Sequence, residues 1–192
     1  MSTLLLETAM KPNEPPLAFE TITEEDIPEL TRVMTRAFDD DAQKHLGLER
    51  GGPPGYDTGD FFRQWLFGYA ETVGYKVIRA GQVIGGIIVW ILPDGHNVVG
   101  TIFVDPDAQD RGVGTCIWQF IEARYAETKS WRLTTPRWAT KNHHFYAVKC
   151  GFVRVDSDPI VGSPDGEYVY RKDMLTPAAE GVDPHLAAQE ED

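Results

Sequence analysis

The sequence is poor in cysteine. Only Cys116 and Cys150 occur among 192 residues, and neither belongs to a CxxC pair or to a metal-ligand spacing with histidine. This pattern argues against a metal site. Both cysteines fall in segments with a helical pattern, where a small buried hydrophobic residue is the expected role. We therefore expect a reducing, cytoplasmic compartment.

Basic residues are also scarce, and long apolar runs are absent. Lysine and arginine number 18 against 30 acidic residues, which gives a net charge of −12. Phosphate binding needs clustered lysine and arginine, so nucleic acid is not an expected partner. No stretch approaches the roughly 20 apolar residues of a membrane helix, and residues 1–7 lack the basic start of a signal peptide. An acidic surface suits a cationic substrate such as an amine, but it serves solubility equally well.

The hydrophobic pattern predicts one domain over residues 18–174, between a proline-containing arm at 1–17 and an acidic, disordered tail at 175–192. The order β-α-α-β-β-β-α-β-α-β-β predicts a mixed α/β (α+β) fold with a mostly antiparallel central sheet flanked by helices. Segment 39–58, rich in glycine and proline at its end, is interpreted as a long loop, either an acceptor lid or a plain surface excursion. The predicted strands are 18–22, 75–79, 82–92, 98–104, 131–135, 152–156 and 167–172, and the predicted helices are 23–38, 60–69, 112–128 and 142–149.

The most informative segment joins a β-branched strand to a helix. Gln109, Gly112 and Gly114 in this segment fit the pattern Q-x-x-G-x-G. Glycine lets the backbone approach a ligand closely, and the N–H groups of residues 111–115 would face one concavity at the positive end of the helix. Arg111 could add a direct charge contact. The segment therefore indicates an anion site, with a glycine-rich turn that binds nothing as the alternative.

Spacing excludes two other phosphate-binding motifs. The segment contains no G-x-x-x-x-G-K-[ST] sequence and so has no P-loop lysine. It contains no G-x-G-x-x-G sequence either, because Ile117 stands where the third glycine would be. The preceding strand also ends a meander, whereas a dinucleotide fingerprint opens a βαβ unit.

Two segments together resemble the GNAT superfamily of N-acetyltransferases. One resembles the acetyl-CoA-binding motif of that family and consists of Val104-Asp105-Pro106 and the Q-x-x-G-x-G stretch. The other resembles the family's late helix and consists of Asn142-His143-His144-Phe145-Tyr146 and Cys150-Gly151-Phe152. The order of elements from residue 18 to 173 also matches the GNAT-like acyl-CoA N-acyltransferase fold, so the resemblance covers most of the chain.

The resemblance implies specific contacts with acetyl-CoA as co-substrate. Backbone N–H groups of residues 110–115 would bind the pyrophosphate, and the last predicted meander strand would pair with the pantetheine arm where it splays from the next strand. Tyr146 would protonate the departing thiolate, while Asn142 would contact the cofactor near the thioester. The implied cofactor-binding residues are Ile102, Phe103, Val104, Gln109, Asp110, Arg111, Gly112, Val113, Gly114, Thr115 and Asn142.

The position of the tyrosine departs from the family pattern. The family tyrosine usually lies four residues before the glycine of Gly-Phe, whereas Tyr146 lies five before Gly151 and Ala147 occupies the usual position. Either the helix carries an extra residue or a bulge, or Tyr146 packs beside Phe145. In the second case, water or another residue would supply the proton.

No sequence motif identifies the general base or the acceptor pocket. Water could relay the amine proton to bulk solvent. The side chains that are general-base candidates by residue type are Asp39, Asp40, Asp41, His96, His143 and His144. An aromatic wall would suit a cationic amine through cation–π contact. Its candidates are Trp131, Trp138, Phe145 and Tyr146, with core packing as the alternative, favoured for Trp131.

The sequence thus predicts an acetyl-CoA-dependent N-acetyltransferase that acts on a small-molecule or peptide amine. Transfer would be direct, because neither cysteine has a partnered base. One alternative is a non-catalytic acyl-CoA-binding sensor or interaction module with the same fold. Another is a different phosphate-bearing ligand at the same turn. No motif specifies the amine, and a homodimer is compatible with the sequence.

Overall fold

The computed structural model describes residues 15–174 and the backbone of residues 4–5. Residues 175–192, the predicted tail, lie outside the described residues, as does most of the predicted arm. Within these bounds one sheet has the strand order β1-β2-β3-β4-β5-β6-β8-β7. Its strands are β1 Leu4–Leu5, β2 Leu17–Thr21, β3 Thr72–Arg79, β4 Gln82–Trp90, β5 His96–Val104, β6 Ser130–Pro136, β7 Val153–Val155 and β8 Glu167–Asp173. The helices are α1 Ile27–Leu46, α2 Asp60–Trp65, α3 Val113–Arg124 and α4 Thr140–His144, which continues into a π-helical turn at Phe145–Lys149.

The predicted fold class is confirmed. All strand pairs are antiparallel except β5 with β6. The predicted β3–β4 hairpin turns at Ala80 and Gly81, whose φ angles of 50° and 77° are the positive values that a tight hairpin turn requires. The first long strand begins at Leu17, one residue earlier than predicted, and β1 pairs with it.

The helices cover both faces of the sheet. On one face, α1 and α2 bury Leu30, Met34 and Phe62 against Ile88. On the other face, α3 packs its apolar side on the sheet through residues that are almost fully buried, namely Ile117, Trp118, Phe120 and Ile121. Burying each such side chain contributes about 1.5–3 kcal/mol, so the two helical layers hold the sheet from both sides.

The first helix is longer than predicted. Thr23 precedes a 3-10 turn at Glu24–Asp26, where its N–H donates to the Asp26 carboxylate at 2.8 Å, and α1 follows directly. The helix then continues to Leu46 and ends at Gly47, whose φ is 67°. The prediction that a loop begins at residue 39 is therefore wrong. The helix continues because Lys44 pairs with Asp40 one turn earlier at 2.6 Å, and because Ala42 is buried.

The parallel pair β5–β6 is short. It joins only His96–Val98 to Ser130–Arg132, whereas β6 continues alongside β8 as far as Pro136. Gly100 is an extra residue in β5 relative to β4, and a Cβ on it would overlap the Trp90 ring. A bulge of this kind bends a strand, so β5 leaves β6 immediately after the three paired residues.

Among the described residues, no helix is long and apolar enough to cross a membrane. The same part of the chain contains no group of three or more metal-ligating side chains. Cys116 and Cys150 are both buried, as predicted, and neither forms a disulfide.

A buried ion pair fixes the far half of the sheet. Arg132 Nε on β6 lies 2.9 Å from Asp158 Oδ1, and the two side chains are only 3% and 1% exposed. The same carboxylate oxygen accepts the N–H group of Ile160, which ties the segment between β7 and β8 to β6. Removing one partner of such a pair leaves an uncompensated buried charge.

We therefore expect Asp158→Asn to lower the free energy of unfolding by roughly 3 kcal/mol, because Arg132 keeps its charge and loses its counterion. Urea denaturation followed by circular dichroism measures this loss. Asp165→Asn is the matched control, since Asp165 lies exposed in the same region of the chain. A loss no larger than that of the control would show that the pair contributes nothing to stability.

Candidate active site

The divergence of β5 from β6 opens a cleft of about 630 Å³. α1, the end of β5, the start of α3 and α4 with its π-helical turn all contribute to its walls. The lining residues are Ala37, Phe38, Asp41, Ile102, Phe103, Val104, Gln109, Asp110, Gly112, Val113, Gly114, Thr115, Cys116, Gln119, Lys141, Asn142, His144, Phe145, Tyr146 and Lys149. Of Tyr146 and the cofactor-binding residues predicted from the sequence, only Arg111 is absent from this set of lining residues.

The glycine-rich turn forms a concavity of backbone N–H groups at the mouth of the cleft. Asp110 and Gly112 have positive φ angles of 58° and 79°, and α3 begins directly afterwards. The first helical bond runs from Cys116 N–H to Gly112 O, so the N–H groups of residues 110–115 donate no hydrogen bond within the described chain. Free N–H groups at the positive end of a helix are a suitable site for an anion such as a phosphate.

Neighbouring side chains hold this turn in place. The Arg36 guanidinium on α1 donates to Asp105 at 2.7 Å and to Asp107 at 2.9 Å. Gln109 donates from Nε2 to Val104 O at 2.9 Å, which closes the turn back onto the end of β5. The turn is therefore attached to both α1 and β5, and its N–H groups keep one orientation.

Lys141 supplies a cation that the sequence patterns did not reveal. Its Nζ lies 2.9 Å from Gln109 Oε1 and 3.1 Å from Asp110 Oδ1, so it bridges from α4 to the turn. Arg111, the cation expected from the motif, is exposed and outside the cleft lining. In the sequence, Lys141 is distinguished only by its place immediately before Asn142. Its contact with Gln109 and Asp110 could not be predicted, because it depends on how α4 packs against the turn.

Gly114 has a packing role in addition to its place in the motif. A Cβ there would lie 3.1 Å from Cε2 of the Phe145 ring, which is tighter than ordinary van der Waals contact. The missing side chain lets the ring approach the first turn of α3. Phe145 thereby brings the π-helical turn against the cleft.

The π-helical turn accommodates the extra residue near Tyr146. The N–H group of Cys150 donates to Phe145 O at 3.1 Å, a bond that spans five residues instead of the usual four. The N–H group of Phe152 then donates to Tyr146 O at 3.0 Å. The helix therefore contains a bulge, the first of the two alternatives that the sequence left open, and Tyr146 lines the cleft.

Tyr146 is enclosed by aromatic rings. Its side chain is 8% exposed and contacts Phe145, Phe152 and Tyr170. Its hydroxyl makes no hydrogen bond to any described residue. Burial raises the pKa of Tyr146 above its ordinary value, with a smaller contribution from Cys150. The phenol therefore stays protonated at neutral pH.

Asn142 connects the cleft to β6. Its Nδ2 donates to Thr135 Oγ1 at 3.2 Å, and Thr135 is itself buried. The hydrogen bond orients the amide where α4 leaves the sheet, while Asn142 remains part of the cleft lining. Its proposed contact with a cofactor stays a prediction.

Comparison with known proteins identifies the family. The model of the acetyltransferase (GNAT) family matches residues 30–152. The chain belongs to the GNAT acetyltransferase family. It is also 32% identical over 141 residues to the uncharacterized protein YrkN of Bacillus subtilis strain 168, covering 73% of this chain and 75% of that protein.

Solved structures support the same fold at low sequence identity. The PaiA N-acetyltransferase of Thermoplasma acidophilum, solved in complex with coenzyme A, matches with a TM-score of 0.63 at 14% identity over 82% of this chain and 98% of that one. The ribosomal-protein-S18-alanine N-acetyltransferase of Escherichia coli matches with a TM-score of 0.65 at 13% identity over 86% and 98%. At such identities the likeness concerns the fold alone.

The fold places only two of the six acid–base candidates in the cleft. Two of them, Asp41 and His144, line the cleft. The other four have partners elsewhere: Asp39 accepts from the Tyr56 hydroxyl, Asp40 pairs with Lys44, His96 contacts Ser130, and His143 contacts Tyr170 and Arg137 O. Residue type alone could not make this separation.

The predicted aromatic wall is only partly present. Phe145 and Tyr146 line the cleft, whereas Trp131 is fully buried in the core, the alternative favoured for it. Trp138 lies beside His45, with ring centroids 6.2 Å apart, and outside the cleft lining. Residues 47–58, part of the predicted acceptor lid, contribute no side chain to this cleft.

Gly112 offers a direct test of the N–H concavity. We expect Gly112→Ala to cost about 1 kcal/mol of stability through its positive φ, and to weaken binding of coenzyme A about tenfold by distorting the turn. Isothermal titration calorimetry measures the affinity, and urea denaturation measures the stability.

Gly81→Ala is the matched control for this variant. Gly81 has a φ of 77° and open space around it, as Gly112 does, but it lies in the β3–β4 turn. Both variants should lose similar stability, and only Gly112→Ala should lose affinity. Equal affinities in the two variants would disprove the role of the turn.

Proposed function

We propose that the protein is an acetyl-CoA-dependent N-acetyltransferase that transfers the acetyl group directly to a primary amine. One observation carries the proposal, namely that a concavity of free N–H groups and a buried, protonated tyrosine line the same cleft between β5 and β6. A phosphate-bearing acyl donor fits the first group, and a thiolate leaving group needs the second. The acceptor is a small-molecule or peptide amine.

The cleft residues suit acetyl-CoA as co-substrate. The N–H groups of residues 110–115 would hold the pyrophosphate, at the positive end of α3. Ile102, Phe103 and Val104 lie in the part of β5 that has no β6 partner, so this edge can pair with the amides of the pantetheine arm. Asn142 would contact the cofactor near the thioester. Acetyl-CoA supplies the activated acyl group.

The reaction balances with the groups present. The neutral amine nitrogen attacks the thioester carbonyl carbon, a C–N bond forms, and the C–S bond breaks. The electron pair of that bond leaves with sulfur, and the Tyr146 hydroxyl gives the thiolate its proton. The amine proton passes to water, and Tyr146 is reprotonated from solvent. A positioned general acid contributes roughly 10²–10⁴-fold to such a step.

The comparisons with known proteins support an acyltransferase. One neighbour of the same fold was solved with coenzyme A, and another is named for acetylation of a protein alanine. Membership in the GNAT family makes an acyltransferase the expected activity.

Thiol release tests the function as a whole. With acetyl-CoA and a panel of primary amines, we expect micromolar binding of acetyl-CoA by calorimetry and amine-dependent appearance of free CoA thiol. Absence of acetyl-CoA binding would overturn the proposal. Tight binding with no thiol release for any amine would instead indicate the non-catalytic acyl-CoA-binding module.

Tyr146→Phe tests the general acid. We expect kcat to fall about 100-fold with the affinity for acetyl-CoA unchanged, because the ring stays in place and only the donated proton is lost. Tyr69→Phe is the control, since Tyr69 is exposed and stacks on Trp65 away from the cleft lining. Unchanged turnover in Tyr146→Phe would reject this residue as the acid and keep the enzyme.

A further inference from the structure

Asp41 is a carboxylate that faces the cleft from α1. It lies one helical turn after Ala37, which also lines the cleft, so the two residues share a face of α1. Asp41 makes no hydrogen bond or ion pair with any described residue, although its side chain is partly buried. A partly desolvated carboxylate without a counterion has a net tendency to bind a cation.

The cations around Asp41 are bound to other groups. On α1, Lys44 pairs with Asp40 at 2.6 Å, and the His45 ring lies beside Trp138. On α4, Lys141 contacts Asp110 at 3.1 Å and Gln109 at 2.9 Å. Burial raises the pKa of Asp41, while His45 and Lys141 act in the opposite direction more weakly. The surrounding charges therefore leave Asp41 available to a cation that enters the cleft.

The place of Asp41 shows which part of an acceptor it can reach. Asp41 lines the cleft from α1, whereas Tyr146 lines it from the π-helical turn after α4. With the role proposed for Tyr146, the thioester reacts beside the π-helical turn. A cation held by Asp41 on α1 is therefore a group of the acceptor other than the nitrogen that is acetylated.

We propose that Asp41 determines acceptor specificity by binding a second cationic group of the acceptor, so that the enzyme prefers diamines and related polycationic amines to monoamines. This inference rests on the proposed N-acetyltransferase function for its catalytic consequence. The net charge of −12 adds a general attraction for cations, but only a localised carboxylate can distinguish two amines of equal length. The reacting nitrogen enters neutral, and the distal ammonium stays charged against Asp41.

The test compares a linear diamine with the monoamine of equal chain length, using the full-length protein. We expect Asp41→Asn to raise KM for the diamine about tenfold, which corresponds to a loss of about 1.4 kcal/mol in binding free energy. KM for the monoamine and KM for acetyl-CoA should stay unchanged. Asp40→Asn is the matched control, because it removes the neighbouring carboxylate of α1, which is paired with Lys44.

Calorimetric titration of the diamine into the protein saturated with coenzyme A gives a readout that does not need turnover. Asp41-dependent diamine binding without any thiol release would support the inference while overturning the proposed function. Thiol release with equal KM for the diamine in the wild type and in Asp41→Asn would overturn the inference and keep the function. A rise in KM for acetyl-CoA, or an equal loss with Asp40→Asn, would also overturn it.

Discussion

The short parallel pairing of β5 with β6 is the constraint on which the rest of the structure depends. Two parallel strands would normally satisfy each other's backbone groups along their whole length, yet here only three residues of each strand do so. The bulge at Gly100 and the Trp90 ring packed against it bend β5 away. The divergence creates the cleft and leaves a strand edge whose backbone groups need another partner.

Each side of the cleft has its own anchor. Arg36 ties the segment after β5 to α1, through Asp105 and Asp107. On the other side, β6 pairs with β8 over seven residues, and the buried Arg132–Asp158 pair strengthens that half. The two sides of the cleft are therefore held by separate sets of contacts. The free N–H groups of residues 110–115 belong to the side held by Arg36.

The helix after β6 shows how a local irregularity affects chemistry. An ordinary α-helix has 3.6 residues per turn, so one inserted residue would rotate everything before it by about 100° relative to Gly151. The π-helical turn absorbs this residue, with Cys150 N–H bonded to Phe145 O. As a result Tyr146 faces the cleft in spite of its shifted spacing. Such turns are uncommon and are found frequently at functional sites.

Local patterns in the sequence determined much of this protein. The alternation of strands and helices, the hairpin at Ala80 and Gly81, and the spacing of the glycine-rich turn all depend on residues close together in the chain. The GNAT family and fold, inferred from such patterns, were confirmed. The end of α1 was not predicted, because the glycines and prolines that follow it suggested an earlier loop.

Tertiary structure alone decided which side chains meet in the cleft. Lys141 on α4 contacts Gln109 and Asp110 in the turn before α3. Of the six acid–base candidates, only Asp41 and His144 line the cleft. The Lys141–Gln109 contact joins residues 32 positions apart, and the lining of the cleft depends on how α1 and α4 pack against the diverging strands. Sequence spacing determines the face of a single helix or strand, but not the distance between faces of different elements.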